Sequence, residues 1–305
     1  MIEIRNLSKK IGSNIILDNL NFSVRRGEIL GFLGPNGAGK TTTMKIITSF
    51  WSPTAGSVVV DGLDSGIDSI KVRKKIGYLP ENVPLYEEMK VKEYLKFAAD
   101  MRSVGMDRIK EVAERCGVSQ VMEKTIDELS KGYRQRVGLA QAIMGNPDVL
   151  ILDEPTTGLD PNQIAEIREL IKKIGSEKTV IFSTHILAEA SAVCDRVLII
   201  NNGKIVGEGS PEELVRKVKS KETVYIKVEG PKDRVLPVLS RVAGVAKVSL
   251  KDEESENVFG YEVEALEGKD VRASLTTAVI GGGWNIMEIS KSKASLEDVF
   301  RELTK

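Results

Sequence analysis

The sequence predicts an α/β protein with a mainly parallel sheet, an added antiparallel β layer and a small α+β unit at its C-terminal end. Three observations carry that expectation. Short apolar runs alternate with helix-period segments through the N-terminal portion, the pattern of strands sandwiched between helices. The glycine-rich segment Gly34-Pro35-Asn36-Gly37-Ala38-Gly39-Lys40-Thr41-Thr42 joins the apolar run Ile29–Leu33 to the helix-compatible stretch Thr42–Ile47. After Thr223 the order becomes strand, helix, strand, strand, helix, strand, which is the ferredoxin-like split unit.

Taken in order, strands are expected near Ile2–Leu7, Ile15–Val24, Glu28–Leu33 and Ser57–Val60. Further strands fall at Val149–Leu152, Thr179–Ser183, Arg196–Ile200 and Lys204–Glu208. Asp61-Gly62 and Asn201-Asn202-Gly203 read as hairpin turns. Helical periodicity marks Val91–Met101, Asp107–Cys116, Gly132–Met144, Pro161–Ile174 and Ile186–Val193. Pro161 after Asp160 and Pro211 after Ser210 are helix starts, since proline at the first helical position loses no hydrogen bond. A charged stretch, Arg216 to Glu222, sets off the second unit, giving domains 1–218 and 219–305 with a helical subdomain at about 82–145. In that unit strands are expected at Val224–Val228, Val245–Leu250, Val258–Val263 and Asn285–Ile289, and helices at Asp233–Val242 and Asp270–Ile280. Lys251–Glu256 reads as a solvated hairpin loop, and Leu296–Leu303 as a last helix with Glu297 and Asp298 at its N-terminus. No catalytic cluster marks this unit, so a structural, regulatory or dimerisation role is expected of it, with ligand sensing as the alternative.

Bulk properties narrow the function class. With 44 Lys+Arg against 44 Asp+Glu in 305 residues, the formal charge is zero. That balance argues against a protein held on nucleic acid by its overall field. The two cysteines, Cys116 and Cys194, have no metal-site or redox spacing and fit a reducing compartment. No secretion signal opens the sequence and no apolar run is long enough to cross a bilayer, so a cytoplasmic protein is expected.

The loop satisfies G-x-x-x-x-G-K-[ST] through Gly34, Gly39, Lys40 and Thr41. Its glycines let successive backbone N–H groups converge without a Cβ in the way, and the following helix adds a partly positive N-terminus. Lys40 brings a full charge toward β- and γ-phosphates and Thr41 a hydroxyl for Mg²⁺, which implies a nucleoside triphosphate as ligand. Val149–Leu152 then delivers Asp153 and Glu154, the first placed for the metal and the second for a general base acting on water. His185, the single histidine, ends another apolar strand, where α/β sites collect functional groups. A hydrogen bond to the γ-phosphate and the attacking water suits it better than metal ligation.

Two more segments resemble a known family. Leu129-Ser130-Lys131-Gly132-Tyr133-Arg134-Gln135 is similar to the LSGGQ signature of ABC-type ATPases, and Thr156-Thr157-Gly158-Leu159-Asp160 resembles their D-loop. The tail Ser295–Phe300 resembles the extension of ATP-binding subunits from the multidrug, antibiotic and gliding-motility exporter branch. The resemblance implies a P-loop NTPase core of ABC type and ATP with Mg²⁺ as ligands. It also implies that Ser130, Lys131 and Gly132 close on the ATP of a partner subunit, in a homodimer or heterodimer. Asp160 would belong to the D-loop, and Glu81 would occupy the Q-loop position and offer oxygen to Mg²⁺. Val83–Tyr86 and the helix from Val91 would receive an integral-membrane permease, holding the chain at the inner face of the membrane. An exporter's energising subunit is thus the leading expectation, with no nucleic-acid partner. The alternative is a soluble ABC ATPase remodelling nucleic acid, ribosome or protein scaffold, although only residues 43–128 separate loop from signature, leaving no room for a long coiled coil. Departures from the family pattern fall at Lys131 and Tyr133 in the signature, at Glu81, and at Ile11, near where an aromatic commonly stacks on adenine.

Overall fold

The structure, a computed structural model, describes residues 2–218, 223–255, 257–266, 269–292 and Phe300. These fall into two compact units that divide between Pro211 and Glu212.

The first unit opens with β1 (Ile2–Ile11) and β2 (Asn14–Val24), an antiparallel pair in which Ile2 faces Val24 and Ile11 faces Asn14. Alternation along both strands sends Ile2, Ile4, Leu7, Leu17, Leu20 and Val24 into the core. Next comes β3 (Ile29–Leu33), buried at every position as a central parallel strand must be. The glycine-rich loop carries it into α1 (Lys40–Ile47). Then β4 (Ala55–Val60) returns beside β1, and β5 (Leu63–Asp64) follows a turn with Asp61 and Gly62 both at positive φ. These strands form the antiparallel layer, in the order β2-β1-β4-β5.

The chain continues through α2 (Ser69–Lys75) into β6 (Ile76–Leu79), and then through α3 (Val91–Arg102), α4 (Met106–Arg115) and α5 (Lys131–Ile143). It re-enters the main sheet as β7 (Val149–Asp153), followed by α6 (Pro161–Gly175), β8 (Thr179–Thr184), α7 (Leu187–Val193), β9 (Arg196–Asn201) and β10 (Lys204–Gly209). The main sheet has the order β10-β9-β3-β8-β7-β6. All its neighbours are parallel except β10, which folds back on β9 through Asn202 and Gly203, both at positive φ. Because β3, β8 and β7 are adjacent, their C-terminal ends bring the loop, His185 and Asp153 to one rim, where α/β proteins hold ligands.

The second unit contains α8 (Pro211–Val218), β11 (Thr223–Glu229), α9 (Lys232–Ser240), β12 (Val245–Ser255), β13 (Val258–Ala265), α10 (Arg272–Gly281) and β14 (Asn285–Ser292). Its sheet is antiparallel in the order β12-β13-β11-β14. Val224, Ile226, Leu239, Tyr261, Leu275 and Val279 build a core of its own.

One expectation changes. Lys251–Glu256 is not a loop, because β12 runs on to Ser255, pairing Asp252 with Gly260 and Glu253 with Phe259. Charge there signals an exposed edge rather than a turn: Lys227 meets Glu254 at 2.6 Å and Lys251 meets Glu262 at 3.1 Å while the backbone keeps its ladder. β6 and α2 had no counterpart in the sequence reading, since four residues interrupted by Gly77 carry too little periodicity. The last helix expected at Leu296–Leu303 lies, apart from Phe300, outside the described residues. Among those described, no helix is long and apolar enough to cross a membrane.

Candidate nucleotide site

The cradle begins at Gly34, the residue after β3, whose N–H donates to Thr184 O at 3.4 Å. A Cβ on Gly34 would lie 2.4 Å from Ile200 O, so only glycine passes between the strands here. Gly39 has φ 110, and a Cβ on it would lie 2.6 Å from the Leu17 side chain. Helix α1 starts there with no side-chain cap and no acid in its first turn, which leaves its positive end to the loop. Lys40, although 6% exposed, is well solvated by protein, with Nζ donating to Gly34 O at 2.7 Å and Pro35 O at 3.2 Å. The same ammonium stands 3.1 Å from Glu154 Oε1.

Asp153 ends β7, fully buried. Its Oδ1 accepts from Ser183 Oγ at 2.6 Å, while Oδ2 is buried without a partner. Burial is the largest influence on this carboxyl and holds it above its ordinary value, against the Ser183 and Thr41 hydroxyls. A buried carboxylate oxygen left over beside the Thr41 hydroxyl is a donor set that fits Mg²⁺, a hard cation that takes oxygen ligands. Glu154 follows at φ 48, a left-handed conformation uncommon outside glycine. Its N–H donates to Ser183 O at 3.2 Å and to Ser183 Oγ at 3.0 Å, which holds the turn. On the other carboxylate oxygen, Oε2, Thr157 Oγ1 donates at 3.3 Å and His185 Nδ1 sits at 2.7 Å.

A cavity of about 560 Å³ has Asn36, Gly37, Gly39, Lys40, Thr41, Thr42, Glu81, Glu154 and His185 in its wall, while Asp153 and Ser183 are fully buried outside its lining. That volume is in the range of small-ligand sites. Gly34, Pro35 and Ala38 support the loop from behind: Lys40 holds the first two, and Ala38 N donates to Pro35 O at 3.2 Å. Ile16 and Thr157 also line the cavity, Ile16 missed from the sequence and Thr157 legible only as part of the D-loop segment, whereas Ile11 lies outside the lining. Ser183 was missed as well; a serine inside an apolar strand is an ordinary residue until pairing sets it opposite Asp153.

Ser130 to Gly132 and Asp160 lie outside that cavity's lining. Ser130 caps α5, its hydroxyl accepting from Tyr133 N at 3.4 Å. Asp160 caps α6 and accepts from Gln163 N at 3.0 Å. Lys131 and Gly132 face this second cap: a Cβ on Gly158 would lie 2.3 Å from Lys131 Nζ, and one on Gly132 would lie 2.8 Å from the Gln163 side chain. The signature turn thus rests on the D-loop segment of its own chain.

The chain is similar to known proteins along its whole length. Residues 17–157 match the family model for ABC transporters. The uncharacterized ABC transporter ATP-binding protein YhcH of Bacillus subtilis (strain 168) is 35% identical over 312 residues, covering 100% of this chain and 96% of that one. The linearmycin resistance ATP-binding protein LnrL of the same organism is 29% identical over 309 residues, covering 100% and 98%. A solved dimeric ATP-binding cassette, in a post-hydrolysis state bound to ADP and Pi, superposes with a TM-score of 0.63 at 28% identity, covering 69% of this chain and 98% of that chain.

Proposed function

The chain belongs to the family of ABC transporter ATP-binding proteins, and from that premise we propose that it binds and hydrolyses ATP between two ATPase subunits to drive a membrane permease, as an exporter's energising subunit. The observation that carries the reading is Glu154, 3.1 Å from Lys40 Nζ and 2.7 Å from His185 Nδ1 at the wall of the phosphate cavity. Backbone N–H groups of the loop and Lys40 bind the triphosphate. Thr41 and Asp153 would hold Mg²⁺, with Glu81 at the cavity wall, and the ion would supply charge neutralisation at the phosphates. Glu154 takes the proton of the attacking water, and the Nδ1 contact fixes its carboxylate while the other His185 nitrogen is left for the γ-phosphate.

Ser130, Lys131 and Gly132, set away from their own cavity, suit the second subunit's nucleotide, and the dimeric relative bound to ADP and Pi supports that arrangement. A separate groove of about 470 Å³ runs between the end of α1 and α3, with Phe50 and Met101 more than two-thirds exposed beside Arg73 and Arg102. An exposed apolar groove of this kind suits a permease helix and supports a location at the inner membrane face. The resistance function in LnrL's name supports export.

Glu154→Gln tests the reading. The amide keeps the side chain's size but cannot accept the proton, so ATP binding is expected to persist and turnover to fall by at least about a hundredfold. Light scattering should find the mutant accumulating as an ATP-bound dimer. Near-normal phosphate release would remove Glu154 from this role.

A further inference from the structure

We propose that Glu189 is a positioning residue of the hydrolytic site, its carboxylate tying the segment that carries Glu154 to the segment that carries His185. Glu189 lies in the first turn of α7 and is 2% exposed. A buried acid requires partners, and this one has two on a single oxygen. Its Oε2 accepts from Thr156 Oγ1 at 2.8 Å and from Thr184 Oγ1 at 2.8 Å, and both threonines are buried. Thr156 follows Glu154 by two residues, and Thr184 directly precedes His185. Thr184 Oγ1 in turn accepts from Ile186 N at 3.0 Å, which sets the path of the chain through His185 into α7.

The tie answers a need visible in the site. Glu154 sits at φ 48, and such a conformation persists only where its surroundings over-determine it. Ser183 restrains that turn on one side through Glu154 N, at 3.0 Å to Oγ. Glu189 restrains the far side, two residues on, and restrains the histidine's approach with the same atom. The 2.7 Å contact between His185 Nδ1 and Glu154 Oε2 is the outcome of both restraints. Of the side chains that could stand at this place, a carboxylate accepts two hydroxyl donors at one oxygen, whereas a leucine would strand both hydroxyls. Glu189 is not among the residues that line the cavity and its hydrogen bonds go to Thr156 and Thr184, so its effect passes through the segments that carry Glu154 and His185.

The inference rests on the assignment of Glu154 and His185 to hydrolysis, and the experiment separates the two. Steady-state hydrolysis of Mg-ATP by the full chain is measured for the parent, Glu154→Gln, Glu189→Leu, Glu189→Gln and the double variant Thr156→Val with Thr184→Val. Loss of the tie is expected to lower kcat by about ten- to a hundredfold in Glu189→Leu, the scale of a small misplacement of reacting groups. KM and calorimetric ATP affinity should stay within about threefold, since the phosphate cradle is untouched. Glutamine keeps an accepting oxygen for both threonines and should recover kcat to within about threefold of the parent. The double threonine variant should reproduce the leucine loss, and it carries the test alone if Glu189→Leu does not fold. The proposal is overturned if the leucine or double-valine protein turns over like the parent, if glutamine is as damaging as leucine, or if the loss appears in KM. Turnover that survives Glu154→Gln would instead sink the hydrolytic assignment beneath it.

Discussion

Lys40 carries the residue-scale argument for the phosphate cradle. Its ammonium meets Gly34 O, Pro35 O and Glu154 Oε1 at 2.7, 3.2 and 3.1 Å, so it is aimed along the loop before any phosphate competes for it. Charged hydrogen bonds are each worth about 1.5–3 kcal/mol. Lys40→Ala is therefore expected to weaken ATP binding by at least about tenfold in calorimetry, and undiminished affinity would contradict the cradle. Lys40, Asp153, Glu154 and His185 were legible in the sequence because each belongs to a local pattern with a chemical reason. Ser183, Ile16 and Glu189 were not legible, since serine, isoleucine and glutamate carry no signal by themselves, and Thr157 was legible only as part of the D-loop segment. Ser183 acquires its part only when β7 pairs with β8 in the register that sets it opposite Asp153. Lys131 shows the complementary limit: its departure from the signature was readable, but its position over Gly158 was not.

At the scale of elements, the parallel strands were readable as apolar runs, and what the runs did not show was how their charged ends are fixed. Glu28, just before β3, and Arg196, at the start of β9, form a part-buried pair with Nε to Oε1 at 2.6 Å. Arg196 also donates to Ser23 O at 2.6 Å and pairs with Glu208, so one guanidinium pins β3, β9, β10 and the end of β2 together. Burial by itself would raise the Glu28 carboxyl, but the hydrogen bonds from Arg196 and from Arg25 N outweigh it and hold the group below its ordinary 4.5. A lowered folded-state value means that the pair's stability is fully present above pH 4.5 and is lost as pH falls through the folded value. Glu28→Gln is expected to cost about 1–3 kcal/mol at pH 7, because it removes the charged partner of a part-buried guanidinium. Denaturant titrations should show that gap narrowing as the pH falls below 4.5. A gap unchanged between neutral and strongly acidic pH would mean that the pair does not anchor these strands. The same competition of charge and backbone explains the misread end of β12, where acidic residues stay exposed while their amides complete a ladder.

For the whole molecule, the two cores and the order of elements followed from periodicity, whereas the proposed division of one site between two chains is beyond what a single chain's contacts display. Ser130 heads α5 and lies outside the lining of the cavity that Lys40 serves, so under the proposed arrangement each chain would bring one cradle and one signature to different nucleotides. Two-fold pairing then makes a simple forecast for a homodimer. Lys40→Ala destroys the cradle and Ser130→Phe blocks the signature, and each alone leaves both composite sites of its homodimer defective. In an equal mixture half the dimers contain one of each, and in such a dimer one site gathers both defects while the other gathers none. Hydrolysis should return to about a quarter of the unmutated level when the two inactive proteins are combined. If each variant folds and yet mixing restores nothing at any ratio, the signature does not complete the nucleotide site of a second copy of this chain, and the dimer must be sought with a different subunit.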